Sequence, residues 1–236
     1  MSKDIVPEPV FLAIDIETCG INKCIFAIGC VLFKRNLPND SNINIELIEC
    51  IDEQIFAFSP KKPNIQEKSD IEQLEILNYN DFTIDTWDNF WSINNDILDI
   101  LSSKSKFSNE IEILVSFYDY WTKITMKYHN IKLVSDNVAF DIGYIDNRIS
   151  LLYDKLDIDK TKSRRPLNYQ FRKKKWYYVS PLDTNTLECV IKLGNNGKLY
   201  LEKMLEECPF TNNHDPISDC KRIAWVFSRI MGYLTL

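Results

Sequence analysis

Residues Val10-Phe11-Leu12-Ala13-Ile14 form an unbroken apolar run that passes directly into Asp15-Ile16-Glu17-Thr18. A strand that is apolar on both faces needs cover on both, which the interior of a helix-covered sheet provides. The run therefore predicts a buried strand whose end delivers two acids, two residues apart, to one face. Phe26 to Phe33 and Ile43 to Ile51 read as antiparallel partners joined through Asn36-Leu37-Pro38-Asn39-Asp40. Residues 52 to 86, with Pro60, Pro63 and mixed charge, read as an irregular insertion. Helical spacing runs from Trp87 to Leu101 and, more strongly, from Asn109 to Tyr128, where Ile113, Phe117, Tyr120, Trp121 and Ile124 recur in steps of three and four. A strand follows at Ile131 to Ser135, a helix at Phe140 to Leu152 and a short strand at Trp176 to Val179. From Asn185 the pattern is helical to the end.

Two further acidic motifs lie far from the first. Asn137-Val138-Ala139-Phe140-Asp141 places an acid at a helix start, and His214-Asp215-Pro216-Ile217-Ser218-Asp219 opens the last helix. There Asp215 suits the N-cap and Pro216 the first helical position, so Asp219 falls in the first turn. Each motif alone has an ordinary explanation as a strand end or a capped helix. Together they supply four carboxylates, Asp15, Glu17, Asp141 and Asp219, and the imidazole of His214. Two unit charges about 4 Å apart repel by roughly 4 kcal/mol at an effective dielectric near 20. Four converging acids thus call for divalent cations, and hard oxygen ligands suit two Mg²⁺ or Mn²⁺. Metals with a base able to deprotonate water near neutral pH point to phosphodiester hydrolysis.

The order and spacing of these motifs resemble the DEDD 3′-5′ exonucleases, in the subgroup whose third motif is His-x4-Asp. The resemblance covers residues 10 to 34 and 87 to 232, and extends to viral and phage exonucleases through Thr86-Trp87-Asp88-Asn89-Phe90-Trp91. It implies a ribonuclease H-like α/β fold, a mixed central sheet with helices on both faces. Length and a 45% hydrophobic composition lead to the expectation of a single domain spanning residues 1 to 236. The resemblance also implies that Asp15, Glu17, Asp141 and Asp219 hold the metals, that Glu17 helps to orient the attacking water and that His214 is the general base. Thr18, Asn137 and Phe140 are expected near the substrate. Position 136 is Asp where the family often has His, and no part of the chemistry is expected of it. Asp183 is expected to be structural. The implied activity is release of nucleoside 5′-monophosphates from the 3′ end of single-stranded DNA or RNA. The alternative is a catalytically inactive domain of the same kind that binds nucleic-acid ends.

The net charge of −6 excludes a general basic field, so attraction to a polyanion has to be local. The stretch from Lys160 to Lys175 is the candidate for it, with Arg172, Lys173, Lys174 and Lys175 beside Phe171 and Trp176, the alternative being a solvated basic loop. Cations that follow phosphates and rings that stack on bases suit a single strand. Seven scattered cysteines without Cys-x2-Cys spacing read as reduced thiols. Together with the absence of a signal-like or membrane-spanning run, they lead to the expectation of an intracellular, cytoplasmic protein without a membrane partner. His129 lies outside every motif and reads as ordinary surface.

Overall fold

Strand β1, Val10–Thr18, lies at the centre of a five-stranded sheet of order β3-β2-β1-β4-β5. A computed structural model of the chain describes residues 8–21, 23–36, 47–63, 81–156, 180–194, 196–211 and 213–234. On one side of β1, β2 (Ile25–Arg35) and β3 (Ile48–Ala57) form an antiparallel meander. On the other, β4 (Ile131–Ser135) and the two-residue β5 (Leu182–Asp183) run parallel to it. Chain order reverses direction around β1, so the carboxyl ends of β1 and β4 open a crevice of the kind where α/β sheets place their sites.

The apolar run of β1 is covered on both faces, as its lack of alternation predicts. Leu12, Ile14 and Ile16 pack in one cluster with Phe117 and Trp121 of α2 (Glu110–Lys127) and with Ile142 and Ile145 of α3 (Asp141–Leu156). Phe11 and Ala13 face the other way, onto Ala224 and Phe227 of α6 (Pro216–Leu234). The rings of Phe11 and Phe227 lie 4.9 Å apart there. The result is a mixed sheet with helices on both sides, the α/β architecture expected from the sequence. Helix α1 (Asn95–Lys104) and helices α4 (Thr184–Lys192) and α5 (Gly197–Glu206) are further α-helices of the described chain.

Two expectations change in detail. Strand β3 continues to Ala57, so residues 52–57 belong to the sheet and not to an irregular insertion. Ladder pairing of Gly29 with Ile55 and Ile28 with Phe56 overrides the weak alternation there. The helix expected from Trp87 to Leu101 is broken. A short turn at Ile84–Thr86 runs into a π-helical turn, Trp87–Trp91, before α1 begins at Asn95. The wider turn, closed by Ser92 N–H donating to Trp87 O at 2.8 Å, sends Trp91 into the core against Phe26 while Phe90 points to the crevice. The strand expected at Trp176 to Val179 lies outside the described residues.

One glycine couples the sheet to the last helix. Gly29 pairs with Asp15 across β1 and β2, and a Cβ at position 29 would come within 2.4 Å of Pro216 O and 2.6 Å of Pro216 Cβ. The start of α6 therefore rests directly on backbone. Gly29→Ala should push α6 away and cost about 1–3 kcal/mol, as overpacking in a close contact does. A lowered midpoint in urea unfolding would show it, and an unchanged midpoint would mean that the helix start yields freely.

Candidate active site

Asp15 and Glu17 continue the face of β1 that carries Phe11 and Ala13, beyond the point where α6 covers it. The α6 N-terminus reaches the same place because it sits on Gly29. Its cap forms as the sequence suggests: Asp215 Oδ1 accepts from Ile217 N–H at 3.2 Å, and Asp219 lies in the first turn. Lys104 at the end of α1 clasps Asp215 from the other side, Nζ to Oδ2 at 3.0 Å. Asp141 arrives from the opposite edge as the first residue of α3, after β4. Asp15, Glu17, Asp141, His214 and Asp219 all line one open cleft of about 390 Å³.

His214 is held in an uncommon conformation. Its φ of 60° places it in the left-handed region, a backbone state costing on the order of 1–3 kcal/mol. The ring stands edge-on to Phe90, with centroids 4.6 Å apart, and its Nδ1 lies 3.6 Å from Glu17 Oε1. That separation exceeds a hydrogen bond but keeps the charges in contact. This contact raises the imidazole above its ordinary value against the opposing effect of burial.

The carboxylates are crowded and short of partners. Burial pushes Glu17 up to about 7, with His214 opposing. Burial likewise takes Asp141 to about 7, although the Ser135 hydroxyl donates to its Oδ2. Asp15 is raised well above the usual range, first by burial and then by the charges of Glu17, Asp141 and Asp219. Its Oδ2 is buried and accepts no hydrogen bond. Asp219 is also raised by burial, while Asn213 N–H donates to its Oδ1 at 3.1 Å. Ligand atoms lie within 4.8 Å of one another inside each of two sets, one from Glu17, His214 and Asp219 and one from Asp15, Asp136 and Asp141. The orphaned oxygen of Asp15 beside oxygen-rich donor sets fits hard divalent cations.

Of the residues expected near a substrate, Thr18, Asn137 and Phe140 also line the cleft. The Asn137 side-chain oxygen caps α3, accepting from Phe140 N–H at 3.1 Å. Phe140 is exposed at the rim and tilted against Tyr144. Arg172, Lys173, Lys174 and Lys175 lie outside the described residues. Asp183 accepts from Val138 N–H at 3.1 Å and from Thr186 N–H at 2.7 Å, which ties the second motif to α4. His129 is exposed just beyond α2.

Sequence reasoning set Asp136 aside, yet the structure turns it into the cleft beside Asp15 and Asp141. Its position directly after the buried end of β4 was the available signal. Phe90, Trp91, Thr86 and Asn185 line the cleft as well. The first three were legible as an aromatic segment, but their direction depends on the π-helical turn.

No protein-family model matches the chain, and no curated protein matches its sequence. Among solved structures it is similar to cell-death related nuclease 4 (CRN-4), with 13% identity and a TM-score of 0.46. The match covers 96% of this chain, which spans 65% of the length of that nuclease. Similarity at this level transfers no cleft residue from one protein to the other. Among the described residues, no helix is long and apolar enough to cross a membrane. All seven cysteines are unpaired.

The crowding has a measurable consequence. Asp15, Glu17, Asp141 and Asp219 each hold a proton more tightly folded than unfolded, as does His214. Their contribution to stability is therefore full at low pH and is lost as pH rises from the ordinary carboxylate range through about 7. In chelator, this cluster should make Tm lower near pH 8 than near pH 5, and Mn²⁺ should restore most of the difference. Replacing Asp15 by Asn should flatten the profile. A metal-free Tm that rises over that range and an Asp15→Asn profile like that of the parent would contradict the assignment of strain to the acids.

Proposed function

We propose that the chain is a metal-dependent 3′-5′ exonuclease that removes nucleoside 5′-monophosphates from the 3′ end of single-stranded DNA or RNA. The observation that carries this reading is the convergence of Asp15, Glu17, Asp141, Asp219 and His214 in one open cleft from three distant motifs. Asp15, Glu17, Asp141 and Asp219 would hold two Mg²⁺ or Mn²⁺. When bound, such cations act as Lewis acids toward water and phosphate oxygens.

The side chains divide the remaining work. Glu17 orients the attacking water and, through its contact with Nδ1, the imidazole of His214. His214 then takes the proton of the water on its other ring nitrogen, a role suited to a group that titrates near neutral pH. Phe90 holds the ring edge-on and limits its rotation. Thr18, Asn137 and Phe140, at the wall and rim of the cleft, contact the terminal nucleotides. The Lys160 to Lys175 stretch supplies the attraction to phosphates that the acidic chain otherwise lacks. An open cleft at the ends of strands admits a flexible terminus more readily than the middle of a rigid duplex.

A 5′-labelled oligonucleotide incubated with the chain and Mn²⁺ should shorten stepwise from its 3′ end, and chelator should stop the reaction. His214→Ala should lower turnover by about 10² to 10⁴ while oligonucleotide binding stays near normal, and it should remove the acid-side inflection of the pH–rate profile. Asp15→Asn should remove most activity without unfolding the chain. Full-length strands under every condition would leave only end binding. Full turnover by His214→Ala would remove the histidine from its assigned role.

A further inference from the structure

Asp136 follows the last residue of β4 and is half-buried in the cleft. One oxygen each from Asp136, Asp15 and Asp141 lie within 4.8 Å of one another. These three acids come from two rigid sources. Asp15 is fixed by the central strand, and Asp141 by the start of α3 together with the Ser135 hydroxyl that donates to it. Asp136 stands one residue from that same serine, whose oxygen also accepts from Asn137 N–H at 3.0 Å. The serine thus fixes the backbone on the far side of Asp136 while it holds Asp141.

Such a trio is not satisfied by the protein alone. Asp15 Oδ2 is buried without a hydrogen-bond partner, and the charge of Asp136 adds to those that raise Asp15 and Asp141. The charge of Arg222 tempers that of Asp136. The ordinary reading of Asp136, a solvated acid at a strand end, leaves unexplained why it shares a ligand-sized space with two other carboxylates. Three converging carboxylates form a hard, anionic oxygen set, the kind that Mg²⁺ and Mn²⁺ prefer.

We propose that Asp136 is a third carboxylate ligand, with Asp15 and Asp141, for one of the divalent cations of the cleft. The inference rests on the metal-dependent reading above but adds a residue to it. Glu17, His214 and Asp219 form the neighbouring set, so loss of Asp136 should act on one cation position and spare the other. A neutral amide at 136 keeps the shape of the side chain and removes its charge.

The test is a Mn²⁺ titration of the full chain, with free Mn²⁺ read by electron paramagnetic resonance and the metal-induced rise in Tm read in parallel. Asp136→Asn should weaken one class of Mn²⁺ sites by about ten- to a hundredfold, leave the other at its original affinity and shrink the Tm rise. Asp136→Glu should recover part of the loss, and Asp119→Asn, an exposed acid on α2, should match the parent. Circular dichroism of each metal-free variant reports whether it is folded. An Asp136→Asn isotherm and Tm rise identical to those of the parent would overturn the proposal and leave the proposed function standing. A parent chain that takes up no Mn²⁺ would overturn both.

Discussion

Asp15 occupies the point where the demands of the fold and of the cleft meet. Its backbone is locked into the central strand, its Oδ2 is buried without a partner, and the charges of four other acids, Glu17, Asp141, Asp219 and Asp136, press on it. At about 4 kcal/mol for each pair near contact, repulsion of this size is comparable to the whole stability of a typical domain. Protonation is one escape, and it is favoured at Glu17 and Asp141, which burial first and neighbouring acids second push up to about 7. A divalent cation is the other, and it is the one that leaves the oxygens available for chemistry near neutral pH.

The surrounding structure spends its rigidity on holding these acids together. Gly29 lets α6 approach β2 closely enough to bring Asp219 and His214 over Asp15. On the opposite face, Glu110 at the start of α2 is fully buried and accepts from Arg148 Nε at 2.7 Å and from Ile25 N–H at 2.8 Å. That pair joins α2, α3 and the start of β2. A buried ion pair adds little net stability against an apolar substitute, but losing one partner strands the other charge. Its consequence here is geometric, since α3 carries Asp141 and β2 carries Gly29. Tyr144 of α3 adds a further tie by donating to Lys23 O at 2.6 Å, next to the turn that leaves β1.

The parts of this arrangement that follow from local pattern were legible in the sequence. Strand β1 announced itself by its lack of alternation and α6 by its cap. The three motifs announced themselves by spacing. What escaped depended on contacts between distant residues. The π-helical turn at Trp87–Trp91 exists because Trp91 fits between Phe26 and Phe82, which no helical spacing encodes. The extension of β3 to Ala57 follows from ladder pairing with β2. The role of Glu110 escaped because its partner Arg148 lies 38 residues away. Asp136 escaped because its importance comes from Asp15, brought beside it by the parallel pairing of β1 with β4.

The central claim is that these buried carboxylates are a seat for cations and not a strained polar core. Anomalous diffraction from crystals of the full chain grown with Mn²⁺ addresses it most directly. The account predicts two peaks in the cleft about 3.5–4 Å apart, one among Asp15, Asp136 and Asp141 and one beside Glu17 and Asp219. A cleft without a peak, with Mn²⁺ found only at surface acids, would contradict it.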